Sequence, residues 1–174
     1  MAIVAIIPDK LGKLLATLQG ALDPDEPEPV PPHVPLVAPF EVEPPFLPLE
    51  RHCWSAGHEM SPFSVELGDL VIDDEVALAW LPVVSGAERI AALRERLLAG
   101  PYPVPAGDEP FEVRALAARV SFHDELAITK FREQTYGPGY RTLYLERFEL
   151  MARYAAGSWY QRDFYTLDRA VTAV

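Results

Sequence analysis

Apolar positions near the start of the chain follow first a strand period and then a helical period. Residues 2–7 form a short, β-branched apolar run, which predicts a buried strand. Five leucines recur at helical spacing between residues 11 and 22, so we predict a helix that opens at Pro8-Asp9 and ends near Leu22. A second strand is predicted over residues 33–40, after a proline-rich acidic stretch.

The order of strand, helix, proline-rich loop and strand occurs twice. It covers residues 2–40 and returns over residues 76–119, with a strand at 76–83, a helix at 86–99 and a strand at 111–120. Two such units side by side would place the second strand of each beside a shared cleft. We therefore predict an α/β (α+β) fold, in which two pseudo-symmetric strand–helix–strand lobes with antiparallel sheets flank a central cleft.

Shorter signals predict the remaining elements. A helix is expected around residues 49–58. Ser121 and Asp124 have the S-x-x-D spacing of a capping pattern, which would open a helix ending near Thr135. Further strands are predicted at residues 63–72, 142–153 and 158–167. The length of 174 residues fits one domain; we expect it to span 1–174, with lobes of roughly 1–40 plus the C-terminal strands, and 63–135.

Charge and cysteine content narrow the classes of partner. The net charge of −11 disfavours duplex nucleic acid, whose phosphates an acidic surface repels. The first apolar run has no basic region before it and is broken at Pro8, so neither a signal peptide nor a membrane span is expected. Cys53 is the single cysteine, which excludes an internal disulfide and fits a cytoplasmic location. No cofactor is expected.

The most specific motif is the segment 32–40, Pro-His-Val-Pro-Leu-Val-Ala-Pro-Phe. It resembles the first motif of the 2H phosphoesterase superfamily, Pro-His-hydrophobic-Thr/Ser-Leu-x-x-Pro-Phe. That group includes the 2′-5′ RNA ligase (LigT-like) proteins and cyclic phosphodiesterases. Pro35 stands where the family has Thr or Ser. The helix after Gly86 and the Pro110-Phe111 pair before a strand also resemble the family, so the resemblance implies a LigT-like fold.

The resemblance also implies a mechanism that needs two His-x-Thr/Ser motifs. Two imidazoles act as general base and general acid near neutral pH, and each hydroxyl donates a hydrogen bond to the phosphate. Aligned on Phe111, the second motif here reads Arg114-Ala115-Leu116. Arginine stays protonated and leucine has no polar group, so of the two histidines only His33 remains.

The function that the resemblance implies is therefore that of a catalytically degenerate 2H phosphoesterase. It would bind a nucleotide, an RNA end or another small anionic ligand in the cleft between the lobes. His33 is the only catalytic candidate. His33, Arg114 and Arg119 are the expected ligand contacts, and Arg119 matches an arginine that many family members carry after the second motif.

Two alternatives remain open from the sequence. The first is an active phosphoesterase on 2′,3′-cyclic or 2′-5′ phosphodiesters, in which His123 replaces the second histidine. The second is a protein-interaction module that uses its acidic proline-rich loops, residues 23–32 and 41–48. His52, Cys53 and His58 lie close in sequence, but their spacing matches no standard zinc pattern, so no metal is expected.

Overall fold

A computed structural model describes residues 1–26, 28–100, 112–137, 139–154 and 157–168. Within these ranges the helices are α1 (Asp9–Leu22), α2 (Leu47–His58), α3 (Ala87–Leu98) and α4 (Glu125–Gln134). The strands are β1 (Ala2–Ile6), β2 (His33–Val37), β3 (Phe63–Leu67), β4 (Val71–Asp73), β5 (Leu78–Ser85), β6 (Arg114–Arg119), β7 (Thr142–Leu145), β8 (Arg147–Arg153) and β9 (Trp159–Thr166).

The strands form an antiparallel sheet in which two similar halves meet at the central β6–β2 pair. The order is β7-β3-β5-β6-β2-β1-β8-β9, and β4 pairs with β5 outside this path. The units β1-α1-β2 and β5-α3-β6 occupy equivalent places on either side of the central β6–β2 pair. The predicted fold class, two pseudo-symmetric strand–helix–strand lobes with antiparallel sheets, is confirmed.

Each connecting helix packs across the centre of the sheet onto the other lobe. Helix α1 contacts β6, and α3 contacts β2. The leucine stripes predicted for these helices point into one hydrophobic core, where Leu15, Leu22, Leu93 and Leu97 have almost no solvent exposure. The outer helices follow the same symmetry, since α4 packs on α1 and α2 packs on α3. The helices thereby fix the two central strands against each other.

Two strands predicted as continuous are broken in the structure. The predicted strand 142–153 is interrupted at Glu146, so that β7 pairs with β3 at one end of the sheet and β8 pairs with β1 towards the other. The buried positions change phase there, from Leu143 and Leu145 to Phe148 and Leu150. A one-residue change of phase reverses the buried face, so the continuous-strand prediction was wrong. The predicted strand 63–72 likewise separates into β3 and β4.

The start of α4 also differs from the prediction. Asp124 is the N-cap residue, and its side chain accepts a hydrogen bond from the backbone N–H of Ala127 at 2.9 Å. Ser121 does not cap the helix; its hydroxyl donates to the carbonyl of Leu22 at 3.2 Å and links α4 to the end of α1.

The predicted repeat also has a proline-rich loop at residues 100–110, between its second helix and the strand that follows. Apart from Gly100, this loop lies outside the described residues. Among the helices that are described, none has the length and hydropathy needed to cross a membrane.

Candidate functional site

His33 opens β2 at the centre of the sheet. Its cross-strand neighbours are Ile6 of β1 and Leu116 of β6. The ring atom Nδ1 lies 2.7 Å from the carbonyl oxygen of Pro31. A carbonyl can only accept, so Nδ1 carries the hydrogen and Nε2 is left as an acceptor in the neutral ring. Burial lowers the pKa of His33 below its usual value, although the hydrogen bond to Pro31 partly opposes this shift.

The expected second motif lies on the strand beside His33. Trp80, Leu116 and His33 are successive cross-strand partners, so their side chains share one face of the sheet. The same antiparallel register continued by two residues faces Pro35 with Arg114. The guanidinium of Arg114 lies 5.3 Å from the centre of the Trp80 ring and 4.0 Å from a carboxylate oxygen of Glu112.

A cavity of about 250 Å³ opens beside His33, and we call it the His33 cavity. His33, Leu116 and Arg119 line it, together with Arg153 and Trp159 from the C-terminal strands. Arg114 is not among its lining residues. Of the three residues predicted as ligand contacts, the structure therefore brings His33 and Arg119 to one cavity and places Arg114 beside it, over Trp80.

Two guanidinium groups, of Arg119 and Arg153, lie in the wall of the His33 cavity. The side chain of Arg119 is exposed and makes no ion pair or hydrogen bond with the part of the chain that the structure describes. Arg153 donates from Nε to the carbonyl of Gly157 at 2.7 Å, and its terminal nitrogens make no hydrogen bond or ion pair with the described residues. A guanidinium with free N–H groups can hold a phosphate or carboxylate by charge-assisted hydrogen bonds.

The acidic segment before β2 forms another wall of the same cavity. Asp23, Glu26 and Glu28 line it, and the segment is fastened by a 2.8 Å hydrogen bond from Gln19 Nε2 to the carbonyl of Val30. Sequence reasoning treated this segment as an exposed loop and missed these residues. Its position directly before His33 in the chain was the available signal.

Arg153 and Trp159 were missed as site residues for a different reason. They lie more than 110 residues after His33 in sequence, and only the β1–β8 and β8–β9 pairings bring them to the cavity. The aromatic residues between Trp159 and Tyr165 predict a strand whose aromatic side chains lie in the core. Tyr165 is buried as this predicts, but Trp159 is only partly buried. No local motif marks Arg153 or Trp159 as a residue of the site.

His123 lies outside the His33 cavity, at the start of α4. Its Nε2 atom is 3.0 Å from Glu125 Oε1, and its Nδ1 atom is 3.7 Å from Asp74 Oδ1. Both ring nitrogens are thus turned towards surface carboxylates. This environment gives no direct support to the alternative in which His123 acts as the second acid or base.

The side chains of His52, Cys53 and His58 make separate contacts on α2. His52 Nε2 lies 3.0 Å from the carbonyl of Arg96 at the end of α3, whereas His58 Nδ1 lies 2.9 Å from the carbonyl of Trp54. Cys53 is buried, and burial raises the pKa of its thiol to about 12. The described residues contain no group of three or more His, Cys, Asp or Glu side chains arranged to hold a metal ion.

The antiparallel sheet with its two strand–helix–strand lobes has the LigT-like fold. The structure resembles E. coli LigT in apo form (TM-score 0.64, 15% identity, 97% of this chain and 96% of that chain). It also resembles E. coli LigT complexed with 3′-AMP (0.63, 17%, 95% and 96%), and TT0787 of Thermus thermophilus (0.62, 16%, 97% and 98%). At these identities the likeness shows the fold alone.

Family membership rests on the sequence itself. The family model of the 2′-5′ RNA ligase superfamily matches residues 7–123, and the chain therefore belongs to that superfamily. This confirms the resemblance to the 2H phosphoesterases. No curated protein matches the chain.

Proposed function

We propose that the protein is a catalytically degenerate member of the 2′-5′ RNA ligase superfamily that binds a nucleotide, an RNA end or another small anionic ligand in the His33 cavity. One observation carries the proposal. The cross-strand partner of His33 is Leu116, while Arg119 and Arg153 line the same cavity. Beside three carboxylates, the site thus has one imidazole and two guanidinium groups, and the guanidinium groups favour an anion.

Loss of catalysis follows from the chemistry of the second strand. Cleavage of a cyclic phosphodiester needs a group that takes a proton and another that gives one to the leaving oxygen. Leu116 can do neither, and Arg114 stays protonated at any ordinary pH. His33 can serve as a base through Nε2, but no second imidazole of the described residues lines the cavity.

Binding of an anion is supported by the two arginine side chains of the cavity, although Asp23, Glu26 and Glu28 also line it. Guanidinium groups in a cleft with low-dielectric walls attract anions more strongly than the net charge suggests. Arg119 supplies such a group without a competing partner among the described residues. We include Arg114 as an outer contact, because it lies on the same sheet face next to Leu116.

The ligand class is supported by solved structures of the same fold. E. coli LigT has been crystallised with 3′-AMP, with NADP+ and with ATP. Each of these ligands joins a nucleoside to phosphate. The proposal takes residues 1–174 as a single LigT-like domain and the cytoplasm as its location, which a lone buried thiol at Cys53 fits.

Calorimetric titration with inorganic phosphate and 3′-AMP tests the proposal. We expect Arg119→Ala to weaken both by about 10- to 100-fold, since a hydrogen bond to a charged group contributes roughly 1.5–3 kcal/mol. Arg51→Ala is the matched control, because Arg51 is exposed on α2, away from the cavity, and its loss changes the net charge equally. Failure of the wild type to bind either probe would contradict the binding proposal.

A turnover assay with the four 2′,3′-cyclic nucleotides tests degeneracy separately. We expect no turnover by the wild type. Turnover that disappears in His33→Ala would instead favour the active-enzyme alternative, and its loss in His123→Ala would identify His123 as the missing group.

A further inference from the structure

A second cavity of about 430 Å³ adjoins the His33 cavity. The two share Glu28, Pro29 and Trp159 as lining residues, so Trp159 forms part of the wall between them. We call the second one the Trp159 cavity. Its other lining residues include Ile6 and Met151, which belong with Trp159 to a small apolar cluster separate from the main core.

Size indicates that a nucleotide in the His33 cavity must extend beyond it. Sites that enclose drug-sized ligands have volumes of about 300–1,000 Å³. The His33 cavity, at about 250 Å³, is just below that range, whereas the Trp159 cavity lies within it. A ligand whose phosphate lies between His33 and Arg119 can therefore extend across Trp159 into a neighbouring space of sufficient size.

The lining of the Trp159 cavity differs chemically from that of the first. Trp159 and Tyr160 provide aromatic surface, and Ile6 and Met151 provide aliphatic surface. Gln161 is exposed and adds an amide that can both donate and accept hydrogen bonds. Charged groups of Glu28, Arg147 and Glu149 complete the lining. Flat aromatic walls with a few hydrogen-bonding groups are typical of sites that bind planar heteroaromatic rings.

The exposure of Trp159 also distinguishes it from a core residue. Tyr165 on the same strand is 6% exposed and belongs to the main core, whereas Trp159 is only partly buried and lies on the cavity side. Arg153 approaches the Trp159 indole, with its guanidinium carbon 6.0 Å from the ring centre. The indole thus stands next to one of the two cations proposed to hold the phosphate.

We propose that the Trp159 cavity is a nucleobase subsite, in which the base of a nucleotide stacks on Trp159 while its phosphate occupies the His33 cavity. The inference rests on the proposed function. It assigns a binding site to the nucleobase, which the phosphate site does not contact. Stacking on an aromatic side chain tolerates every base, because each base has a π face. The subsite is therefore expected to select nucleotides over phosphorylated sugars without strong preference among the four bases.

Affinity measurements on Trp159→Ala test the subsite. We expect 3′-AMP to bind about tenfold more weakly than to the wild type, a loss of ~1.4 kcal/mol that is within the range for stacking on one base. Inorganic phosphate and ribose 5-phosphate should bind the variant within about twofold of the wild type, because neither carries a base. Trp159→Phe retains an aromatic face and should restore most of the affinity. Trp54→Ala, on α2, serves as the control for loss of an indole elsewhere.

Fluorescence gives a second readout that a purely structural role would not produce. Trp54, Trp80 and Trp159 are the three tryptophans of the chain. We expect 3′-AMP to quench the emission of Trp54→Phe but not that of Trp159→Phe, while ribose 5-phosphate quenches neither.

The outcomes separate this inference from the proposed function. Phosphate binding that depends on Arg119, together with equal affinity of Trp159→Ala and wild type for 3′-AMP, would overturn the subsite and leave the anion site standing. An equal loss of phosphate and 3′-AMP binding in Trp159→Ala would also overturn it, since the residue would then act through the fold. Binding of neither probe to the wild type would overturn both.

Discussion

His33 lies directly opposite Leu116 in the antiparallel pair that joins the two halves of the sheet. A pseudo-two-fold arrangement of two H-x-T/S motifs would place a histidine of one strand opposite a hydroxyl residue of the other. Here the same register gives His33 opposite Leu116 and, two residues on, Pro35 opposite Arg114. The proposed loss of catalysis follows from this register, because Pro35, Arg114 and Leu116 then stand at three of the four positions of the two motifs.

Placing the histidine and hydroxyl residues of the family motifs at those three positions should give the protein turnover. We expect the triple variant Pro35→Thr, Arg114→His, Leu116→Thr to hydrolyse 2′,3′-cyclic nucleotides, whereas the wild type does not. The substitutions supply a second imidazole and two hydroxyls on the face that already carries His33. Because one positioned acid–base group typically contributes ~10²–10⁴-fold to a rate, product formed over hours should be measurable by chromatography.

The control for this experiment is the same triple variant with His33→Ala added. It should be inactive, because one imidazole would again be missing. Equal activity with and without His33 would show that the register between β2 and β6 does not define the reaction centre. Circular dichroism of all variants would establish that the sheet is retained.

The titration of His33 should reflect its burial. Its pKa in the fold is lowered from the ordinary 6.5, mainly by desolvation. The unfolded chain then binds more protons than the folded chain just below pH 6.5, so the free energy of unfolding falls as the pH is lowered from 6.5 towards the folded-state pKa. His33→Gln should remove this part of the pH dependence. Denaturant unfolding at several pH values between 5 and 7.5 measures the difference between the two proteins.

A bound anion should reverse this shift. Phosphate in the His33 cavity favours the imidazolium form, so it should raise the pKa of His33 towards its ordinary value, and phosphate affinity should increase as the pH falls. NMR titration of the histidine ring protons, with the His33 signal assigned from His33→Gln, measures both effects. A His33 midpoint that is the same with and without phosphate would argue against an anion beside this ring.

Sequence patterns were sufficient to predict the fold class because each helix and strand shows its own periodicity of apolar residues. The leucine stripe of α1 and the repeat of strand, helix and strand could be read directly, and they determine the two lobes. What periodicity did not show was the break at Glu146, where the strand changes partners between the two ends of the sheet. Both halves of that segment have the apolar pattern of a strand. They are two strands only because β7 pairs with β3 whereas β8 pairs with β1.

The site was predictable only where a linear motif existed. His33 and Arg119 follow from short motifs, and both line the cavity. Arg153 and Trp159 reach it through long-range strand pairing, which no local pattern encodes. The acidic residues before β2 were visible in sequence, but nothing in their composition showed that they would form a cavity wall.

Capping of α4 should depend on Asp124 and not on Ser121. The Asp124 side chain satisfies the backbone N–H of Ala127 at 2.9 Å, which would otherwise lack a helical partner. We expect Asp124→Ala to lower the free energy of unfolding by about 1 kcal/mol, the usual effect of losing such a cap. Asp124→Asn should lose much less, because the amide oxygen can still accept. Urea unfolding of the three proteins measures this, and an equal effect of both substitutions would point to the charge instead of the cap.

Glu149 should contribute to stability through a hydrogen bond to β1, the strand that pairs with β2 on the side away from β6. It lies on β8, is 1% exposed, and accepts from the backbone N–H of Ile6 at 3.1 Å and from Arg147 Nε at 3.0 Å. We expect Glu149→Ala to lower the free energy of unfolding by about 1–3 kcal/mol, because the partly buried backbone N–H of Ile6 would lose its acceptor. The lost ion pair adds little, since the Arg147 side chain is 56% exposed and solvent screens it.

Glu149→Gln separates the hydrogen bond from the charge. Its amide oxygen can still accept from Ile6, so near neutral pH we expect a smaller loss than for Glu149→Ala. Desolvation raises the pKa of Glu149 above the ordinary 4.5, in spite of its contacts with Ile6 and Arg147. Between pH 4.5 and that raised pKa the folded chain binds more protons than the unfolded chain, so wild-type stability should increase relative to Glu149→Gln as the pH falls through this window. Denaturant unfolding of both proteins across this window measures the difference between their free energies of unfolding. The contributions of the other carboxyl groups cancel in this difference, because both proteins contain them. A difference that does not change with pH would mean that Glu149 titrates alike in the folded and unfolded chains.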